Sequence, residues 1–416
     1  MINAICFILY LTFFYIYFSI YVKIGGLKME NIQNSQASKR WDYIDLLEFI
    51  GILFVIIYHS TTYSYSFIEQ ASAINYIRYF LRTLLSTCVP LFFFVNGYLI
   101  LNRPFNLKKH IIKTISLIVL TVIWGLISIL LFMPIKGEYL TIKEILQYLW
   151  MWQSGWINHL WYMGALVCIY IFVPIFKVAF DNKRNYFICF TIICAILTFG
   201  NKFLGICGTI FAKSILKLES SYLDFNFFNM FSPFRRIYGY SFVYFCAGGL
   251  AHDIVPKIKN IDSKRRNIIA SIVLIVSTAC LFGTGIVLSK VTGKMWEIVY
   301  NGYDTIFTFI NVCALFVLSL SYNPSKDNIA TKFIRSVSCN TLGIYYIHQI
   351  IRGLTHPWVM HCYWIRNFIG CTCYSLLLLI ICLLIVIGIG KIPFLNCLVN
   401  LKKIEKIFYK EKKPQK

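Results

Sequence analysis

Hydrophobic positions in this chain come in long blocks, not in alternation or in short amphipathic stripes. Residues 115–134, 160–176, 268–288 and 375–390 each approach the roughly 20 apolar residues that a bilayer-spanning helix needs. Lipid offers the backbone no hydrogen-bond partner, so such blocks must satisfy themselves as helices. The ~10-residue alternating segments of a membrane β-barrel are absent. The pattern predicts an all-α, polytopic transmembrane bundle. Ten core helices are expected near 43–63, 75–101, 111–133, 159–179, 185–200, 237–252, 267–289, 302–321, 339–357 and 367–390. Residues 203–216 are weakly apolar and broken by Gly205, Gly208 and Lys213, which predicts a re-entrant or interfacial piece. The longest non-spanning stretch of the core is 201–236, and no internal repeat is visible.

The ends differ from the core. Residues 2–22 are apolar and carry no charge before Lys23. They lack the basic start and small-residue cleavage site of a signal peptide. We read them as an extra N-terminal helix outside the active unit. The alternative is a matter of start-site choice, because Met29 opens a polar leader that runs straight into the first core helix. The chain then divides into an apolar segment and leader (1–40), a membrane domain (41–392) and a basic tail (393–416).

Composition agrees: 58% of the 416 residues are hydrophobic and 14% charged, against roughly 25% charged in soluble domains. The formal charge of +23 invites a nucleic-acid reading, but its distribution argues otherwise. Segments 23–40, 102–113, 177–185, 253–267, 322–335 and 391–416 hold 27 of the 40 basic residues. That asymmetry places them, and both ends of the core, in the cytoplasm. The partners expected are therefore membrane lipids and no nucleic acid. The fifteen cysteines scatter through apolar segments without a CxxC pair, so no metal site is expected.

Ionisable groups inside spans are costly and are candidate functional residues by default. The first core helix carries Asp42, Asp45 and Glu48, then a purely apolar run that ends in Tyr58-His59-Ser60. At about 1.5 Å per residue, Glu48 and His59 lie roughly 16 Å apart along the axis and roughly 20° apart around it. Asp45 falls within roughly 40° of the same face. One stripe thus bears two carboxylates near the cytoplasmic end and a histidine deep in the membrane. His348 is a second histidine well inside a span, and Asn96 brings an amide into another. For each histidine, a core residue bonded to a neighbouring helix is an equally good reading, and for Asn96 a helix-packing device is. His159 and Trp161 fall at a predicted helix start, where interfacial anchoring is the default.

Four blocks together resemble the membrane-bound acyltransferase family 3. They are Asp45-Leu-Leu-x-Phe-Ile-Gly through His59-Ser60, Val89-Pro90 through Asn96-Gly97-Tyr98, Leu160-Trp161-Tyr162 with Tyr170 and Pro174, and Leu342-Gly343 through Tyr345 and His348. They occur in the family's order. The resemblance implies transfer of an acyl group, usually acetyl from acetyl-CoA, to a hydroxyl of a surface polysaccharide or its lipid-linked precursor. It also implies a bacterial cytoplasmic (inner) membrane location and an essential role for the helix-one histidine, here His59. Two departures stand out. Glu48 occupies a position where the family usually has arginine, and Lys108, Lys109 and Lys113 stand where an Arg-x-x-Arg pattern often begins helix three.

The chemistry can be stated without the family. Acyl transfer to a hydroxyl needs a base, for which histidine suits because it titrates near neutrality. It needs donors for the oxygen that gains negative charge and cations for the CoA phosphates. His59 is the candidate base, or an acylated nucleophile. Tyr98, Asn96 and His348 are candidate donors or orienters, and Lys108, Lys109 and Lys113 candidate CoA contacts, or ordinary loop charge. Asp45 and Glu48 are too far from His59 to bond it; they are expected to pair with those lysines or to organise the entrance, Glu48 otherwise pairing with Arg40 or a neighbouring helix. The rival readings are a glycan or lipid-linked sugar transporter, and an inactive relative serving as an assembly partner.

Overall fold

The computed structural model describes residues 40–152, 155–218, 239–324 and 328–408, which are helices and connecting segments without a strand. The expectations for the N-terminal segment 1–39 and the tail beyond 408 fall outside the described residues. In chain order the helices are α1 (Asp42–Ser60), α2 (Ala73–Leu101), α3 (Leu107–Lys136), α4 (Ile142–Met151), α5 (Trp161–Asn182), α6 (Arg184–Ser214), α7 (Gly239–Lys259), α8 (Ser263–Thr292), α9 (Ile306–Ser319), α10 (Ile329–His361), α11 (Phe368–Lys391) and α12 (Leu401–Phe408). Each of the ten expected helices overlaps one of these, α4 and α12 being additional. By length and composition seven helical stretches can cross a membrane; α1, α2, α3, α6, α8 and α11 are six, and the seventh, Ile142–Asn182, contains α4 and α5. The protein is a multi-pass membrane protein.

Helix ends follow local chemistry. Side chains that accept hydrogen bonds from backbone N–H groups at helix starts satisfy donors the helix cannot. Asn106, Asp262, Thr305 and Asn367 cap α3, α8, α9 and α11 in this way. Gly137 and Gly293 close α3 and α8 at φ +68°, a backbone region that glycine enters without a Cβ penalty. Two differences from the sequence reading concern α4 and α6. Helix α4 is opened by a reciprocal capping box between Thr141 and Glu144. Helix α6 passes through a π turn at Ile196–Gly200 and continues to Ser214, so 201–214 extends a helix and is not a separate re-entrant piece.

Helix α1 lies centrally, packed against α2, α9, α10 and α11. Helices α2 and α7 approach most closely, because each presents a glycine to the other's backbone. A Cβ on Gly97 would fall 1.8 Å from the Phe245 carbonyl oxygen, and one on Gly248 would fall 1.9 Å from that of Phe94. Small residues permit such contact between membrane helices. The outward faces stay apolar: Ile272, Ile275 and Val276 of α8 and Leu377 and Leu384 of α11 are exposed, as a lipid-facing surface requires.

Candidate active site

Three histidines from three parts of the chain meet near one end of the bundle. His59 stands one residue before the end of α1. His348 comes from the middle of α10, and its ring centre is 5.4 Å from that of His59. His159, from the 3₁₀ turn Gly155–Leu160 that leads into α5, lies 5.8 Å from His348. His348 is fully buried and His159 nearly so. The interfacial role expected of His159 is therefore corrected: its ring packs inward against His348, and the backbone carbonyl of His159 accepts the Tyr345 hydroxyl.

Hydrogen bonding assigns the His348 tautomer. Its Nδ1 is 2.5 Å from the Tyr345 carbonyl oxygen, and a carbonyl can only accept, so Nδ1 carries the proton. Nε2 is then a bare acceptor, and it is buried without a partner. His159 Nε2 is also buried and unpartnered. Buried polar atoms are rarely left so. His59 and His159 face a cavity, and His348 packs against both from behind its wall. That cavity, of about 290 Å3, is lined by His59 and His159 together with Tyr58, Trp161, Tyr162 and Tyr303. It also reaches Asn158 and Tyr300, which are exposed. It therefore opens at the end of the bundle opposite the basic loops. Among the described residues no cluster of three or more His, Cys, Asp or Glu has a metal-holding arrangement.

Arg352 holds the end of α1 in place. It lies one turn beyond His348, and its Nη1 donates to the His59 carbonyl at 3.2 Å while its Nε donates to Gln349 at 2.9 Å. A cation at a helix C-terminus also complements the helix dipole. A second cation, Arg82, lies behind Tyr58. It is buried, pairs with Glu297 at 2.8 Å, and stacks 4.9 Å and 4.3 Å from the Tyr58 and Tyr65 ring centres.

The carboxylates of α1 form a separate polar centre nearer its start. Arg40 grips Asp45 with two bonds of 2.6 and 2.9 Å. The Ser338 hydroxyl of α10 lies 2.8 Å from Asp45 and 2.5 Å from Glu48. Arg335 donates to Asp42. The hydrogen bond to Asp45 raises the pKa of Arg40 still further. Arg103, after α2, is pulled down by burial and pushed back up by the charge of Glu48. The acids thus pair with arginines and a serine, and the lysines expected as partners are elsewhere.

Of the expected site residues only His59 lines the cavity; His348 packs behind it and the others lie elsewhere. Asn96 donates to the Phe92 carbonyl and accepts the Tyr170 hydroxyl at 2.9 Å each. The Tyr98 hydroxyl lies 2.6 Å from that of Tyr43. Lys108 and Lys109 are exposed, and Lys113 Nζ sits 5.1 Å from the Tyr170 ring centre. Arg352 went unremarked in the sequence, although a charge four residues after His348 on the same helix face was a usable signal. Ser338 gave none.

A bundle of membrane helices around a cluster of three histidines defines an integral membrane protein with a polar pocket at one end. Residues 41–387 match the acyltransferase domain of acyltransferase family 3, and the chain belongs to that family. It is a membrane acyltransferase by that membership. No curated protein and no solved structure matches it.

Proposed function

We propose that the protein transfers an acyl group, acetyl in the simplest case, from acyl-CoA to a sugar hydroxyl of a surface polysaccharide or its lipid-linked precursor, in a bacterial cytoplasmic membrane. The observation that carries this reading is the convergence of His59 and His159 on one cavity with His348 packed behind them, two of the ring nitrogens being buried and unpartnered, in a chain of an acyltransferase family.

In this reading His59 accepts the proton of the acceptor hydroxyl as its oxygen attacks the thioester carbonyl. The new C–O bond forms, the C–S bond breaks, and the CoA sulfur leaves with the proton that His59 took up. His348, its ring centre 5.4 Å from that of His59, offers a bare Nε2 to the positive charge that His59 gains. Hydroxyls of Tyr58 or Tyr303 on the cavity wall are available to the oxygen that becomes negative. The cavity's opening beside Asn158 and Tyr300 supports approach of the acceptor from the side opposite the cytoplasmic loops.

The test is chemical. Wild type and His59→Ala are expressed in a host that lacks the gene but makes the acceptor, and ester-linked acyl groups on purified surface glycan are measured by mass spectrometry. Acyl ester with wild type and none with His59→Ala, at equal membrane abundance, is the expected result. Equal ester in both removes His59 from the mechanism. Absence from both, with acceptor present, removes the glycan.

A further inference from the structure

A second and larger cavity, of about 810 Å3, lies at the start of α1, about 26 Å along the helix from His59 at 1.5 Å per residue. Its walls come from the leader of α1, the α7–α8 turn and the segment after α9, all of them among the basic segments of the sequence. The volume is within the range of small-molecule sites, roughly 300–1,000 Å3.

Two cations border this cavity without a carboxylate partner among the described residues. Arg266 is 6% exposed. Its terminal nitrogens donate to Ser321 Oγ at 2.6 Å and to the Ile258 carbonyl at 3.4 Å, while its Nε is buried and unpartnered. A guanidinium keeps its charge in proteins, and burying one without a counter-ion is costly. Lys259, at the exposed rim, has its Nζ 5.2 Å from the Tyr43 ring centre. The other charges of the wall are engaged. Arg40 holds Asp45, Asp42 holds Arg335, and Asp262 caps α8 through the Arg265 amide at 2.9 Å. Beside them Trp41, Tyr98 and His252 form an aromatic corner, with ring centres 5.4 to 6.0 Å apart.

Unpaired positive charge beside aromatic faces is the chemistry that recognises a phosphorylated nucleoside: cations take the phosphates and rings stack on the base. An anionic lipid headgroup shares the phosphate but has no base to use the rings. We propose that this cavity holds the nucleotide end of the acyl donor, the 3′-phosphorylated adenosine diphosphate of CoA, with Arg266 and Lys259 on its phosphates and Trp41 against its base. The proposal rests on the acyl-CoA-dependent reading above. It moves the donor site away from Lys108, Lys109 and Lys113, none of which borders the cavity.

The experiment is calorimetric titration of the purified full-length protein in a neutral detergent with CoA, and separately with adenosine 3′,5′-bisphosphate. The variants are Arg266→Gln, Lys259→Gln, the pair Lys108→Gln and Lys109→Gln, and His59→Ala. Loss of one charge-assisted hydrogen bond corresponds to a tenfold or larger rise in Kd, which is expected for Arg266→Gln. A several-fold rise is expected for Lys259→Gln, whose exposed position leaves folding intact. The lysine pair and His59→Ala should bind within about twofold of wild type, where twofold is well below one decade in affinity. Unchanged CoA affinity in both Lys259→Gln and a folded Arg266→Gln overturns the proposal. So does displacement of CoA by short-chain phosphatidylglycerol but not by adenosine 3′,5′-bisphosphate. The two readings fail separately. CoA binding that depends on Arg266, with no acyl ester on any glycan, keeps the cavity and discards the acceptor. Transfer that persists in Arg266→Gln at an unchanged KM for acetyl-CoA discards the cavity and keeps the reaction.

Discussion

Replacing Gly97 by alanine tests the helix pair that supplies Tyr98 and His252 to the larger cavity. The added Cβ would sit 1.8 Å from the Phe245 carbonyl oxygen, against 3.4 Å or more in ordinary contact. Neither atom belongs to a side chain that can rotate away, so α2 and α7 must part by about 1.6 Å at that point, the shortfall against ordinary contact. A gap of 0.5–1 Å already forfeits a quarter to a half of a dispersion contact, and overpacking typically costs 1–3 kcal/mol. We expect the upper end, about 3 kcal/mol, less the ~1 kcal/mol by which alanine outdoes glycine inside a helix. Gly283 and Gly388 supply internal controls, because a Cβ at either meets nothing within 4 Å. Gly283→Ala and Gly388→Ala should be neutral or stabilising by up to ~1 kcal/mol. The assay is unfolding by SDS titration in mixed micelles. Gly97→Ala combined with Gly248→Ala should cost less than the sum of the two, because both open the same contact. The displacement would also disturb Tyr98 and His252, whose rings are 5.4 Å apart on those two helices, so CoA should bind more weakly. Equal stability of Gly97→Ala and Gly283→Ala would refute the close approach.

Three further outcomes follow from the polar contacts. Arg352→Ala removes the donor to the His59 carbonyl, and turnover should fall about tenfold or more, as expected for a lost bond from a charged group; steady-state kinetics on membranes with equal protein content would show it, and unchanged turnover would make Arg352 a bystander. Ser338→Ala takes away the hydroxyl shared by Asp45 and Glu48 and should destabilise the protein by about 1–3 kcal/mol, read by the same SDS titration, whereas Glu48→Gln should be close to neutral because an amide can still accept from Ser338. Arg82→Met strands Glu297 and should cost roughly 3 kcal/mol, the low end for a broken buried pair because Glu297 is 33% exposed; a thermal unfolding curve matching wild type would show the pair to be without weight.

The helices were legible in the sequence because, in lipid, apolar length and backbone self-satisfaction decide almost everything. What escaped was what those two rules do not govern. Helix α4 is ten residues long and lies between α3 and α5, too short to register as an apolar block. Gly205, Gly208 and Lys213 looked like breaks, yet α6 runs through them. Near a bilayer a helix that stops must find new partners for its backbone, and one that continues need not. His59 and His348 stood out as costly ionisable groups inside spans. His159 did not, because a histidine at a helix start has a commonplace explanation, and only the tertiary fold turns its ring toward His348.

Glu48 shows the same limit from the other side. Judged along one helix, a carboxylate where the resemblance implies arginine reads as a reversal of charge. In space, Glu48 shares the Ser338 hydroxyl with Asp45, Asp45 is gripped by Arg40, and the charges of Arg40 and Arg103 both reach Glu48. The arginines come from the leader of α1 and from the turn after α2, so α1 supplies the acids and its neighbours the cations. Positive charge at this end of α1 thus comes from outside the helix, and Arg40, held by Asp45, also borders the larger cavity. Sequence motifs record which residue stands on which helix, whereas the electrostatics of a buried site depend on the sum over all helices that meet there. A departure at one motif position is therefore weighed against all the charges that meet there, here Arg40, Arg103, Asp45 and Glu48 together.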